Sequence, residues 1–108
     1  MSTTTLYQHS DNKIVVPIFD KDGVSIPASN FLKAEYVIAR CNWKVKVKLT
    51  SDDGISVEDD VFVINIDDSL FGSEMKGAFI HQFVVWNLSG DKLPPAFQEK
   101  IRITKVIS

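Results

Sequence analysis

From Trp43 to Leu49 the chain reads W-K-V-K-V-K-L, an unbroken alternation of large apolar and basic residues. Successive side chains of an extended strand point to opposite faces. The run therefore presents Trp43, Val45, Val47 and Leu49 on one side and Lys44, Lys46 and Lys48 on the other. Wound into a helix, the same residues would scatter around the circumference and leave no apolar stripe to bury. A strand with one face on a core and one face in water fits an antiparallel sheet. Trp43 is accordingly expected in the core.

The rest of the chain repeats this grammar. Lys13–Phe19 (K-I-V-V-P-I-F) is rich in β-branched residues, but Pro17 cannot donate a ladder hydrogen bond, so the strand belongs at a sheet edge or a bulge. Asp20-Lys21-Asp22-Gly23 supplies turn chemistry, and Val24–Ile26 is a short extended piece closed by Pro27. Lys33–Cys41 reads as a strand because Tyr36, Val37 and Ile38 cluster. Ser51–Gly54 is a turn, Ile55–Val57 a short strand, and Glu58–Asp60 another turn. Val61–Ile66 places Phe62, Ile64 and Ile66 on one face. Asp67-Asp68-Ser69 can cap a helical turn over Leu70-Phe71, kept short by Gly72 and Gly77. Ala78–Trp86 is apolar on both sides, as a central strand should be, and Trp86 is expected in the core. Leu88–Asp91 is a hairpin-type turn. After Pro94-Pro95, Phe97–Ile107 closes the chain with Ile101, Ile103 and Ile107 on one face.

No amphipathic stretch is long enough to be a crossover helix, so an α/β fold is excluded. The pattern predicts an all-β protein, a sandwich or a barrel, and the form expected is an immunoglobulin-like antiparallel β-sandwich of about seven to eight strands with one short helical turn. Residues 1–11 are polar and read as a flexible N-terminal arm on which Leu6 and Tyr7 can dock. Residues 12–108 form a single sandwich domain, a size that supports one hydrophobic core.

Several function classes are disfavoured by composition. The net charge is −2, so no global basic field attracts phosphate backbones, and no nucleic-acid partner is expected. The apolar runs are far too short to cross a bilayer, so no membrane partner is expected either. Met1–Thr5 lacks the basic-then-apolar pattern of a signal peptide, and the single Cys41 cannot form an intramolecular disulfide. Folding in a reducing cytoplasm is expected.

Candidate chemistry is sparse. Asp52-Asp53, Glu58-Asp59-Asp60 and Asp67-Asp68 invite a calcium reading, since calcium takes oxygen ligands, but they lack the EF-hand spacing and are expected to be solvated turns. His9 and His81 are the only imidazoles and, with Cys41, form no zinc signature. A Cys41–His81 nucleophile and base pair comes without an oxyanion-hole loop or nucleophile elbow. His81 is expected as a packed or surface side chain. No catalytic, cofactor-binding or metal-ligating residue is assigned, and no cofactor is expected. The candidate partner contacts are Leu6 and Tyr7 of the arm, the lysine face of Lys44, Lys46 and Lys48, and Phe71 in the acidic turn. The lysine face suits either water or an acidic protein surface, because it carries no interleaved aromatics for single-stranded nucleic acid.

The order of these pieces resembles a known group. A turn F-D-K-D-G-V-S-I-P is followed by the lysine strand, then D-D-G-I-S-V-E-D-D-V-F-V-I-N-I-D-D-S. After it come K-G-A-F-I-H-Q-F-V-V-W-N-L-S-G-D and a last strand. From Val16 to Val106 this is similar to the small Ig-like virion domains of tailed bacteriophages, among them the amino-terminal domain of phage baseplate upper proteins. The resemblance implies a non-enzymatic structural component of a virion: a capsid decoration, neck, tail or baseplate accessory protein. Its partners would be other virion proteins or further copies of itself in a homo-oligomer. The alternative is an Ig-like binding module that recognises a carbohydrate or a host-surface protein through its loops.

Overall fold

A computed structural model describes residues 4–8, 12–40, 42–67, 70–71 and 76–105. The described chain is all-β and sandwich-like, with one short 3-10 turn at Ala28–Asn30. In chain order the strands are β1 (Thr4–Gln8), β2 (Asn12–Val16), β3 (Ile18–Phe19), β4 (Ser25–Ile26), β5 (Phe31–Ala39), β6 (Val45–Thr50), β7 (Ile55–Glu58), β8 (Val61–Ile66), β9 (Gly77–Asn87) and β10 (Phe97–Lys105). They assemble into a five-stranded sheet in the order β1-β10-β9-β5-β6, a three-stranded sheet β2-β8-β7, and the small hairpin β3-β4.

Strand parity decides what each sheet buries. On β5, Ala34, Tyr36 and Ile38 face inward, and register sets them opposite Val85, Phe83 and His81 of β9. Val47 and Leu49 of β6 line up with Ile38 and Tyr36, and Ile101 of β10 with Phe79. From the smaller sheet Val16, Ile55, Phe62, Ile64 and Ile66 complete one continuous core. The sheets meet through Phe62 and Phe83, whose ring centroids lie 5.5 Å apart. Each such ring, taken fully out of water, is worth about 1.5–3 kcal/mol.

Turn chemistry sets the registers. Glu58 pairs with Val61, so the β7–β8 loop is only Asp59-Asp60, with φ of 53° and 63°. A two-residue loop with both φ positive matches the right-handed twist of its strands, and Asp tolerates that conformation better than most residues. Gly54, at φ +100°, sits where a Cβ would come within 2.8 Å of a Leu49 methyl. The close crossing from the five-stranded to the three-stranded sheet requires glycine there. Pro17 separates β2 from β3, and β2 is an edge strand, as a proline-broken strand should be.

Several sequence expectations need correction. Residues 4–8 of the segment expected to be a flexible arm form β1, which pairs in parallel with β10, so the sheet is not wholly antiparallel. Leu6 docks on its own core at 3% exposure, because Leu6 lies beside Ile103 on the inner face. Trp43 is not a core residue. It stands 61% exposed in the β5–β6 hairpin, with φ of 69°, and the strand begins only at Val45. The hairpin closes from Arg40 to Lys44, and Val45, expected on the core face, is 54% exposed at a register shift against β5, so the buried face of the strand begins only at Val47. Trp86 is half-buried on the outer face of β9 rather than in the core. Among the described residues ten strands form where seven to eight were expected, since residues 4–8 read as an arm and Pro17 divides the expected Lys13–Phe19 strand into β2 and β3. The helical turn at Asp67–Phe71 falls partly outside the described residues; Leu70 N–H donates to the Asp67 carbonyl there.

Candidate functional site

Two features of the five-stranded sheet carry polar chemistry, one on each face. On the inner face, β5, β9 and β10 bring Tyr36, His81 and Glu99 together. Glu99 pairs with His81 in the β9–β10 register, and His81 with Ile38 beside Tyr36. The Tyr36 hydroxyl lies 2.9 Å from His81 Nδ1, and both side chains are buried, at 0% and 2% exposure. Phe97 closes over the imidazole with a centroid separation of 4.6 Å.

A carboxylate can only accept, so Glu99 beside Nε2 assigns the imidazole proton to Nε2. Nδ1 is then the acceptor and the Tyr36 O–H the donor. Burial pushes the Tyr36 phenol far above its ordinary range, which keeps it protonated as a donor. His81 Nε2 and Glu99 Oε1 are 3.5 Å apart, too long for a formed hydrogen bond, and Nε2 has no other partner among the described residues. Burial lowers the His81 pKa below the usual histidine value, and the Glu99 carboxylate opposes that shift. The cluster is a neutral imidazole held in the core. Its one exposed member is the Glu99 carboxylate, and no nucleophile stands beside it among the described residues.

The outer face is basic. Register places Lys48 of β6 opposite Val37, Lys33 of β5 opposite Trp86, and Lys100 and Arg102 of β10 opposite Ile80 and Ala78. With Lys46 these cations share one face, and Glu35 is the carboxylate among them, 3.5 Å from Lys48. Trp86 is flanked by the ammonium groups of Lys33 and Lys92, at 4.6 Å and 5.6 Å from its ring centroid. Lys46, Lys100 and Arg102 have no ion-pair partner among the described residues. A shallow cleft of about 380 Å³ opens between β1 and β10 beside Thr5, Ala78, Lys100 and Arg102. A larger cleft, about 620 Å³, is lined by Asn12, Lys48, Asp53, Asn65 and Asp67 among others, with charges of both signs.

The sequence-predicted contacts fall unevenly on this frame. Lys46 and Lys48 lie on the basic face, and Tyr7 is exposed at its opposite edge on β1. Lys44 belongs to the hairpin rather than the strand. Leu6 and Phe71 are buried and offer no surface to a partner. Sequence reasoning missed Lys33, Lys100 and Arg102, although the alternation of Ile101 and Ile103 already put Lys100 and Arg102 on an outer face. What was missing was the strand order that brings them beside the lysine strand. It also missed the Tyr36–His81–Glu99 cluster, which depends on register between three strands.

His9, Cys41 and Asp68 lie outside the described residues, and with them the Cys41–His81 pairing. Among the described residues no group of three His, Cys, Asp or Glu side chains is placed to hold a metal ion. No helix among them is long and apolar enough to cross a membrane. No protein-family model matches the chain, and no curated protein matches it.

Proposed function

We propose that this chain is a non-enzymatic structural component of a tailed-phage virion, built on an immunoglobulin-like sandwich and acting through protein contacts. The observation that carries the fold half of this reading is the strand order. In variable-type immunoglobulin domains the C, F and G strands, extended by C′, face a sheet containing B, E and D. Here β5, β9 and β10, extended by β6, face β2, β8 and β7 in the corresponding order. The virion half rests on the sequence resemblance, whose motifs occupy consecutive structural units. F-D-K-D-G-V-S-I-P spans the β3–β4 hairpin, D-G-I-S-V enters β7, and K-G-A-F opens β9.

An accessory component of a particle needs surfaces rather than a reaction centre, and the basic outer face and the free edges of β1 and β6 supply them. The partners would be other virion proteins, with folding in the host cytoplasm before assembly. Mass spectrometry of purified particles from the source phage tests this reading. Peptides of the chain at structural copy number support it, and their absence from intact particles refutes it.

A second reading is favoured by one observation, the exposed Trp43 at the β5–β6 hairpin. An indole held in solvent can stack on a sugar ring or anchor in a host-surface protein. A glycan array probed with the wild-type chain and with Trp43→Ala separates the readings. Signals lost on substitution favour a binding module, and a blank array removes the carbohydrate form of it.

A further inference from the structure

The chain is acidic overall, yet its charges are sorted. Lys33, Lys46, Lys100 and Arg102 share the outer face of the five-stranded sheet, while the turns of the three-stranded sheet carry carboxylates. The tightest of these is the two-residue β7–β8 turn. Asp59 and Asp60 are both exposed there, and neither carboxylate has a partner among the described residues. The turn is anchored, not loose, since the Asp60 carbonyl accepts the Ala28 N–H at 2.8 Å.

We infer that the β7–β8 turn of one copy seats in the Lys100–Arg102 cleft of a second copy, making a head-to-tail contact. The geometry suits it. Lys100 and Arg102 lie two residues apart on one face, about 7 Å along the strand, and the cleft of about 380 Å³ opens between them and Thr5. A two-residue turn is among the narrowest protrusions a sheet can offer, and it presents adjacent carboxylates to two cations. Arg102 can take one of them with two parallel hydrogen bonds. Lys46, across the sheet, adds to the field that steers the approach.

A nucleic acid fits the same cations less well. Of the large aromatics on that face among the described residues, Trp86 is already flanked by Lys33 and Lys92, and Tyr7 stands apart at the β1 edge, so they offer no row of free rings for successive bases. An unrelated acidic protein would need its own protruding carboxylates, whereas this chain carries both halves. Because the two patches differ, the contact is heterologous, and repetition closes a ring or extends a filament. The inference rests on the assembly reading above for its setting, but it is tested in solution without reference to any particle.

Sedimentation velocity over a range of protein concentrations, at about 20 mM and about 500 mM salt, provides the test, since screening shortens the reach of charges several-fold between them. Wild-type chain is expected to self-associate, at least tenfold more weakly at high salt. Lys100→Glu/Arg102→Glu removes the cleft and Asp59→Asn/Asp60→Asn removes the turn; Asn keeps the positive φ. Circular dichroism establishes that each variant folds. Each alone is expected to be monomeric, while their mixture is expected to form a 1:1 heterodimer and nothing larger, because one intact cleft meets one intact turn. A monomeric wild-type chain at low salt overturns the inference, as does a mixture that stays monomeric. Such a failure leaves particle proteomics free to support the structural reading, so the two fail separately.

Discussion

His81 makes the stability of this protein depend on pH. The imidazole is 2% exposed, accepts from Tyr36 at 2.9 Å and lies under Phe97. Burial holds its folded pKa below the unfolded value of about 6.5. Between those two values the unfolded chain binds a proton that the folded chain refuses. Stability therefore rises with pH through this window, is complete above about pH 6.5, and is lost as pH falls below it. One proton sets a limiting slope of about 1.4 kcal/mol per pH unit. For a domain of this size, each pH unit over which that full slope applies lowers Tm by about 6 °C.

The control is Tyr36→Phe/His81→Leu, which removes both members of the hydrogen bond and keeps their volume. Replacing both partners by apolar groups is expected to be nearly neutral at pH 7.5, whereas Tyr36→Phe alone leaves Nδ1 unpaired and costs about 1–3 kcal/mol. Urea denaturation of the three proteins at pH 5, 6, 7 and 8 reads the effect. All three proteins carry the same carboxylates, so the difference between wild type and double variant isolates the contribution of His81. If the two stability curves run parallel from pH 8 to pH 5, the buried neutral histidine is wrong. A Tyr36→Phe variant as stable as the double variant would likewise remove the hydrogen bond from the account.

Four further outcomes follow from the same structure. Glu99→Gln removes the carboxylate that props up the His81 pKa, so its stability deficit relative to wild type is expected to be larger at pH 5 than at pH 7.5; denaturation at both values checks this. Gly54→Ala combines a positive φ with a Cβ 2.8 Å from a Leu49 methyl and is expected to cost about 2–4 kcal/mol. Gly90→Ala, at φ +89° with open space around it, is expected to cost only about 1 kcal/mol, and thermal melts of both separate steric from backbone strain. Trp43→Asn places a residue tolerant of positive φ at an exposed position, and calorimetry is expected to find it neutral or stabilised by up to about 1 kcal/mol. A loss of about 3–5 kcal/mol would instead mean that Trp43 is a core residue.

Much of this protein is legible one strand at a time. Alternation in Val45–Leu49 and the pattern of Val61–Ile66, together with the Asp59-Asp60 and Leu88–Asp91 turns, determine strands, the inward faces of Val47, Leu49, Phe62, Ile64 and Ile66, and the all-β class, because a strand's period and a tight turn's φ are local properties. Pro17 likewise marks an edge without help from the rest of the chain, since a missing N–H is a missing ladder bond anywhere. Other features exist only between strands. Leu6 is buried because β1 finds β10, almost a hundred residues away in sequence, and nothing in T-T-L-Y-Q announces that pairing. Trp43 leaves the core because the hairpin closes at Lys44, a choice between turn and strand that the alternation of W-K-V cannot make. The Tyr36–His81–Glu99 cluster and the basic face both arise from the order β10-β9-β5-β6, which aligns residues from separate strands in rows. Periodicity tells each side chain which face it takes, but only the register tells it which neighbours it meets there.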